Sequence, residues 1–277
     1  IPRRIYIMFK AFTLAGSDTS GGAGIQADLK TFQERDVYGM CAITTIVTMD
    51  PDNEWNHLIF PIAIDTLKQQ IKTILQGIGI DAMKTGMLAS EEIITLAAET
   101  IETYQIKNVV VDPVMVCKGA DKQTFPKVND AIRDILLPKA LVVTPNLFEA
   151  EQLSGMKNVE TLDDMKKAAI KIHALGVPYV LIKGGGKLQN TDQALDVLYD
   201  GKDFEILSAK KITGGFNHGA GCTISACITA ELAKGKTVKE AIYTAKKFIT
   251  AAIKHSFPLN SYIGPTRHSA LRVFKEQ

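Results

Sequence analysis

A chain of 277 residues, 46% hydrophobic and 22% charged, is long enough for one large core or at most two domains, and this composition excludes the disordered and fibrous classes. The formal net charge of +2, with lysines scattered rather than gathered in a run, argues against nucleic acid and membrane surfaces and leaves small-molecule chemistry as the prior. The four cysteines, Cys41, Cys117, Cys222 and Cys227, form no CxxC pair and no Cys/His metal spacing, so neither a zinc site nor a disulfide framework is indicated and a reducing cytoplasm fits.

The first residues, IPRRIYI, are expected to be an extension outside the fold, with Met8 as the natural start, because their apolar part is too short for a signal peptide and no small-residue cleavage pattern follows. No segment approaches the ~20 apolar residues of a membrane span. Short β-branched runs then alternate with amphipathic stretches. KAFTLAG reads as a strand, GIQADLKTFQERD as a helix, CAITTIVTM as a strand and IDTLKQQIKTILQGI as a helix. DAMKTGM, SEEIITLAAETIETY and NVVVDPV repeat the pattern, as do LVVTPN, the helical TLDDMKKAAIKIHALG and the strand YVLIKGGG. A hairpin of ALDVLYDG with DFEILSA follows, and two closing helices start at about Cys222 and Val238. Such alternation implies an α/β fold with a mostly parallel central sheet, helices on both faces and ligands at the carboxyl ends of the strands. No repeat, low-complexity tract or linker interrupts it, which predicts a single domain over 8–277.

Polar residues at strand ends are therefore the candidates for chemistry. Asp112 follows the apolar VVV, and Asn146 follows VVTP with Glu149 three residues on, where a new helix puts both on one face. Mg²⁺ takes one or two carboxylates plus waters and substrate phosphates, and Asp112 with Glu149 is such a partial ligand set. Turn capping by Asp112 and a first-turn dipole preference for Glu149 explain the same residues without a metal. Lys183 ends a strand ahead of three glycines, placed either to neutralise a phosphate or simply to face solvent before a loop. In NHGAGCTISA, residues 217–226, Gly-Ala-Gly opens a helix. That reads as a phosphate cradle, although a tight turn would use the same glycines. Together these parts match what phosphoryl transfer requires, yet GSDTSGGAG is neither a P-loop nor a dinucleotide fingerprint.

The segments AGSDTSGGAGIQADLKTF, KTGML, VVDPVM, TPNLFEA, IKGG, HGAGCT and IGPTRH, in this order, resemble the ribokinase superfamily, and within it the hydroxymethylpyrimidine kinase group that includes bacterial pyridoxal kinases. The resemblance implies a ribokinase-like fold, ATP as co-substrate and Mg²⁺ as metal. It places Gly219, Ala220, Gly221 and Cys222 at an anion hole, Asp112 and Glu149 at the metal, and Asp112, Asn146, Lys183 and Thr213 along the nucleotide. Asp18, Ala23, Val47, Met49, His57 and Met87 fall on the acceptor substrate. Most members of the superfamily have an Asp where this sequence has Cys222. A thiol at a helix amino end is expected to have a lowered pKa, suited to a weak base or nucleophile; the competing account leaves it as packing while water or phosphate takes the proton.

Two residues bear on substrate choice. Hydroxymethylpyrimidine kinases carry a Gln where this chain has Met49, and a thioether packs on a methylpyridine ring but cannot read an aminopyrimidine. VMVCKGADKQTF reads as a lid, and its Cys117 paired with Cys222 resembles the dual-cysteine pyridoxal kinases. The expected activity is thus ATP-dependent phosphorylation of the hydroxymethyl group of pyridoxal, pyridoxine and pyridoxamine in vitamin B6 salvage. Hydroxymethylpyrimidine phosphorylation in thiamine biosynthesis is the alternative, and a vitamin-binding regulator without turnover is a second class. A cytoplasmic homodimer with no nucleic-acid or membrane partner is expected.

Overall fold

The computed structural model of the protein describes residues 8–115, 126–188 and 191–275. In chain order its elements are β1 (Lys10–Asp18), α1 (Gly24–Glu34), β2 (Tyr38–Asp50), β3 (Asn56–Pro61), α2 (Ile64–Leu75), β4 (Ala82–Thr85), α3 (Glu91–Thr103), β5 (Val109–Val111), α4 (Pro126–Ala131), β6 (Val142–Val143), α5 (Leu147–Ser154), α6 (Leu162–His173), β7 (Tyr179–Gly185), β8 (Gln193–Tyr199), β9 (Phe204–Lys210), α7 (Ala220–Ala233), α8 (Val238–Lys254) and α9 (Ala270–Phe274). Nine strands form one sheet in the order β3-β2-β1-β4-β5-β6-β7-β8-β9. The six from β2 to β7 pair in parallel, and antiparallel strands extend both ends.

Period-two alternation divides the buried residues between two cores. Phe12, Leu14, Met83, Val109, Val111, Val143, Val180 and Ile182 face the side covered by α2, α3, α5 and α6. Ala11, Ala82, Val110, Val142 and Leu181 face the side covered by α1, α7 and α8. The helices therefore lie on both faces of a mostly parallel sheet. Strand order reverses at β1, whose neighbours are β2 on one side and β4 on the other. In open α/β sheets the crevice at such a reversal, beyond the carboxyl ends of the strands, is where ligands bind. Among the described residues, no helix is long and apolar enough to cross a membrane.

One strand escapes the sequence pattern. NHLIFP follows a turn-rich MDPDNEW and ends in proline, which demotes it as a strand, but as an edge strand paired to β2 alone it tolerates both. Helix α7 also begins at Ala220, two residues earlier than the apolar run indicates, so Cys222 sits inside its first turn.

Candidate active site

A cavity of about 220 Å³ opens at the β1/β4 reversal. Asp18 and Ala23 bound it from β1 and the turn after it, Val47 and Met49 from β2, His57 from β3 and Met87 from the segment after β4. All six residues expected at the acceptor substrate thus meet in one place, and His218 and Cys222 complete the wall. The hairpin explains three of them. Val47 pairs with Ile59 and Met49 with His57, so one face of β2–β3 turns Val47, Met49 and His57 to the cavity. The opposite face exposes Ile46, Leu58 and Phe60.

A second cavity, of about 300 Å³, lies along the glycine-rich end of β7. Asn146, Lys183, Gly184, Gly185 and Gly186 line it with Ala220 and Gly221, and Ile212, Ile249 and Ile253 form an apolar wall. The segment 217–222 belongs to both cavities. Asn217, Ala220 and Gly221 face the second, and His218 and Cys222 face the first. An open groove of about 750 Å³ between α1 and residues 265–269 contains none of the expected site residues.

Asp18 fixes this shared segment. Its carboxylate accepts the Ala23 N–H at 2.7 Å, the Ser20 N–H at 2.8 Å, the Ser20 hydroxyl at 2.9 Å and His218 Nε2 at 2.8 Å. Burial alone would push the carboxyl up, but the bonds from His218 and Ser20 outweigh it and hold the group at about 2. The loop before α1 is thereby tied to the loop before α7. They approach so closely that a Cβ at Gly219, whose φ is +78°, would stand 1.9 Å from Gly22 O. Only glycine fits a left-handed position under that constraint.

Charge gathers beneath the second cavity. Lys183 Nζ lies 3.4 Å from Asp112 Oδ1 and also donates to Thr144 O. Ser225 Oγ donates to Asp112 Oδ2 at 3.2 Å. Asn146 caps α5 with a reciprocal box: its Oδ1 accepts the Glu149 N–H at 3.0 Å, and Glu149 Oε2 accepts the Asn146 N–H at 2.8 Å. Burial drives the Glu149 carboxyl up to about 7 against the attraction of Lys183, and Asp112 adds like-charge repulsion. Burial also disfavours the Lys183 ammonium, but Asp112 and Glu149 outweigh it and hold its pKa above the ordinary lysine value. Two crowded buried carboxylates are a donor set that a hard divalent cation relieves, and they fit the few protein ligands Mg²⁺ takes. Among the described residues, no group of three or more His, Cys, Asp or Glu side chains could hold a metal.

One sequence expectation, a lowered Cys222 pKa, turns out differently. Burial pushes the Cys222 thiol up to about 12, with Lys84 opposing and Asp28 and Asp112 reinforcing the rise. Desolvation, Asp28 and Asp112 outweigh Lys84, a balance a sequence does not reveal. Thr213 is exposed, beside Ile212 and Gly215, which line the second cavity. Cys117 lies outside the described residues. Conversely, His218 and Ser225 carry no role in the sequence reading, although His218 stands inside NHGAGCT, beside the glycines that drew attention. The apolar wall from α8 gives no sequence signal, because Ile249 and Ile253 look like ordinary core positions.

Residues 18–267 match the phosphomethylpyrimidine kinase family, and the chain belongs to it. It is 64% identical over 266 residues to the pyridoxine kinase of Bacillus subtilis (strain 168), covering 96% of this chain and 98% of that protein. The crystal structure of an ADP complex of Bacillus subtilis pyridoxal kinase superposes with a TM-score of 0.94 at 64% identity, over 96% of this chain and 100% of the other. The pyridoxal kinase from Staphylococcus aureus in complex with AMP-PCP and pyridoxal superposes with a TM-score of 0.90 at 49% identity, over 97% of this chain and 96% of the other.

Proposed function

We propose that the chain is a kinase that transfers the γ-phosphate of ATP to the hydroxymethyl group of pyridoxal, pyridoxine and pyridoxamine. The observation that carries this reading is the segment 217–222, which forms a wall of both cavities and so brings an acceptor in one within reach of a phosphate donor in the other. The names of the relatives, pyridoxine kinase and pyridoxal kinase, support it. ATP occupies the second cavity, its base against Ile249 and Ile253 and its phosphates toward Gly221. Lys183 neutralises phosphate charge, and the first-turn N–H groups of α7 stabilise the oxyanions of the transferring group. Asp112 and Glu149 would hold Mg²⁺, which supplies further charge neutralisation when bound. Cys222 borders the acceptor hydroxyl. Incubation with Mg-ATP and each B6 vitamer, following ADP release, tests the reading; no ADP above the blank with any vitamer would overturn it.

Hydroxymethylpyrimidine is the competing acceptor, given the family to which the chain belongs. Met49 lines the acceptor cavity and offers no hydrogen bond to an aminopyrimidine. Met49→Gln should move the ratio of kcat/KM toward the pyrimidine by about fivefold to tenfold, the worth of one added hydrogen bond. An unchanged ratio would mean that Met49 does not face the ring.

The chain associates as a homodimer on this reading. Ile46 and Phe60 pair across the hairpin, and with Leu58 they leave an exposed apolar row along an edge strand. Edge strands of this kind are otherwise blunted by charge or covered.

A further inference from the structure

Residues 264–268 run beside the segment that both cavities share. The His218 N–H donates to Gly264 O and the Thr266 N–H to His218 O, each at 3.2 Å, and the Arg267 N–H donates to Ala252 O of α8 at 2.9 Å. This placement brings Thr266 and His268 against Thr223, at the start of α7, and all three side chains are buried. Thr223 Oγ1 lies 2.8 Å from Gly219 O, 3.0 Å from His268 Nε2 and 3.3 Å from Thr266 Oγ1. A carbonyl oxygen only accepts, so the single hydroxyl hydrogen of Thr223 goes to Gly219 and the other two partners donate to its oxygen. That count assigns the His268 tautomer, with the hydrogen on Nε2. Burial holds the ring's pKa down at about 4, with Lys30 adding to the fall and Glu34 opposing it, so at pH 7 the donor is a neutral ring.

Gly219 is the N-cap of α7 and has no side chain with which to cap it. Its carbonyl is held instead by Thr223 twice, through the N–H at 2.9 Å and the hydroxyl at 2.8 Å. The direction of the first turn therefore depends on the Thr223 rotamer, and that rotamer depends on what donates to it from behind. His268 lines the open groove between α1 and residues 265–269 and belongs to the wall of neither cavity. Buried polar side chains cost more than apolar packing unless each is bonded, and a fully bonded row fixes one arrangement. We infer that His268 is a positioning residue for phosphoryl transfer: its Nε2–H holds the Thr223 hydroxyl on the Gly219 carbonyl and so keeps the first-turn N–H groups of α7 aimed at the transferring phosphoryl group. The inference rests on the proposed function, in which those N–H groups stabilise the oxyanions. His268 exchanges no proton in this role. A first turn that loses its aim costs most where charge is greatest, in the transition state, and costs bound ATP little.

The test compares His268→Leu, which removes the donor, with His268→Gln, whose amide N–H reaches about as far, in the full chain with Mg-ATP and pyridoxine. His268→Leu should lower kcat by about tenfold to a hundredfold while KM for ATP and for pyridoxine stays within about threefold of wild type. His268→Gln should return kcat to within about threefold of wild type. Thr223→Val breaks the same chain at its middle and should cost about as much as His268→Leu, and it carries the test where His268→Leu does not fold. The double variant should be no slower than the worse single one, because both act through one hydroxyl. ADP with Mg²⁺ and aluminium fluoride mimics the transferring phosphoryl group, and its affinity should fall by the same factor as kcat, with ADP affinity unchanged. A merely structural role lowers the melting temperature and the folded fraction but leaves the aluminium fluoride affinity of the folded protein where it was. The inference is overturned if Thr223→Val keeps wild-type kcat, if glutamine fails to restore what leucine removes, or if the two losses multiply. A wild-type chain that releases no ADP with any vitamer overturns the proposed function and this inference with it, whereas an active wild type with an equally active His268→Leu overturns this inference alone.

Discussion

An added Cβ at Gly221 would meet only Asp112 Oδ2 and Lys183 Nζ, each at 3.8 Å, whereas at Gly219 it would collide with Gly22 O at 1.9 Å. The two glycines of one motif therefore fail differently. Gly221→Ala should fold with a melting temperature within a few degrees of wild type and lose about a hundredfold or more in kcat, because its methyl enters the space left for phosphate. Gly219→Ala should lose stability itself, through backbone clash and a left-handed φ. Thermal melts set beside turnover would separate the two, and a fully active Gly221→Ala would remove the cradle. Asp18 offers a pH signature at the same scale. Its folded pKa of about 2 lies below the ordinary aspartate value of 3.8, so its stabilisation is present above pH about 4 and is lost as pH falls through about 2. Asp18→Asn should cost about 2 kcal/mol at neutral pH, and the gap to wild type should close over that acid window. A gap that persists unchanged below pH about 2 would mean the loss is not electrostatic.

Elements were legible where a pattern has one physical cause. VVV at 109–111 announces a strand buried on both sides, and the structure divides its residues between the two cores. The Asn146 and Glu149 spacing could be read as a first turn from sequence, and the structure gives it a capping box. That box lets metal chemistry be tested apart from helix stability. Glutamine serves in the box as well as glutamate does, so Glu149→Gln should leave the unfolding midpoint nearly unchanged while Mg²⁺-dependent turnover falls by about tenfold or more. Turnover that matches wild type across a magnesium titration would exclude Glu149 from the metal. What stayed hidden depends on tertiary surroundings. The influences of Asp28 and Asp112 that help raise the Cys222 pKa come from segments far apart in the chain, and no local window contains them. The edge strand β3 was hidden for the opposite reason, since its proline and exposed apolar residues make sense only once one side is known to have no partner strand.

For the whole molecule, the reversal of strand order at β1 decides where the acceptor cavity forms, and the antiparallel β2–β3 hairpin walls it from outside. Phe60, 53% exposed on that hairpin, tests the assembly. Phe60→Glu should convert a dimer to a monomer in light scattering while leaving the fold intact, and a wild-type chain that is monomeric would remove the proposed surface. The hairpin also binds these matters together through parity. Inward positions Val47, Met49 and His57 alternate with outward positions Ile46, Leu58 and Phe60 on the same two strands. On the proposed function, point substitutions on one face would retune vitamin preference and those on the other self-association, each independently. Sliding either strand by one residue exchanges them, turning exposed residues toward the cavity and cavity residues outward. The turn at 51–55, with Glu54 and Trp55 already at positive φ, sets that phase, so gaining or losing a single residue there would rewrite both faces, and with them the proposed substrate choice and assembly, in one event.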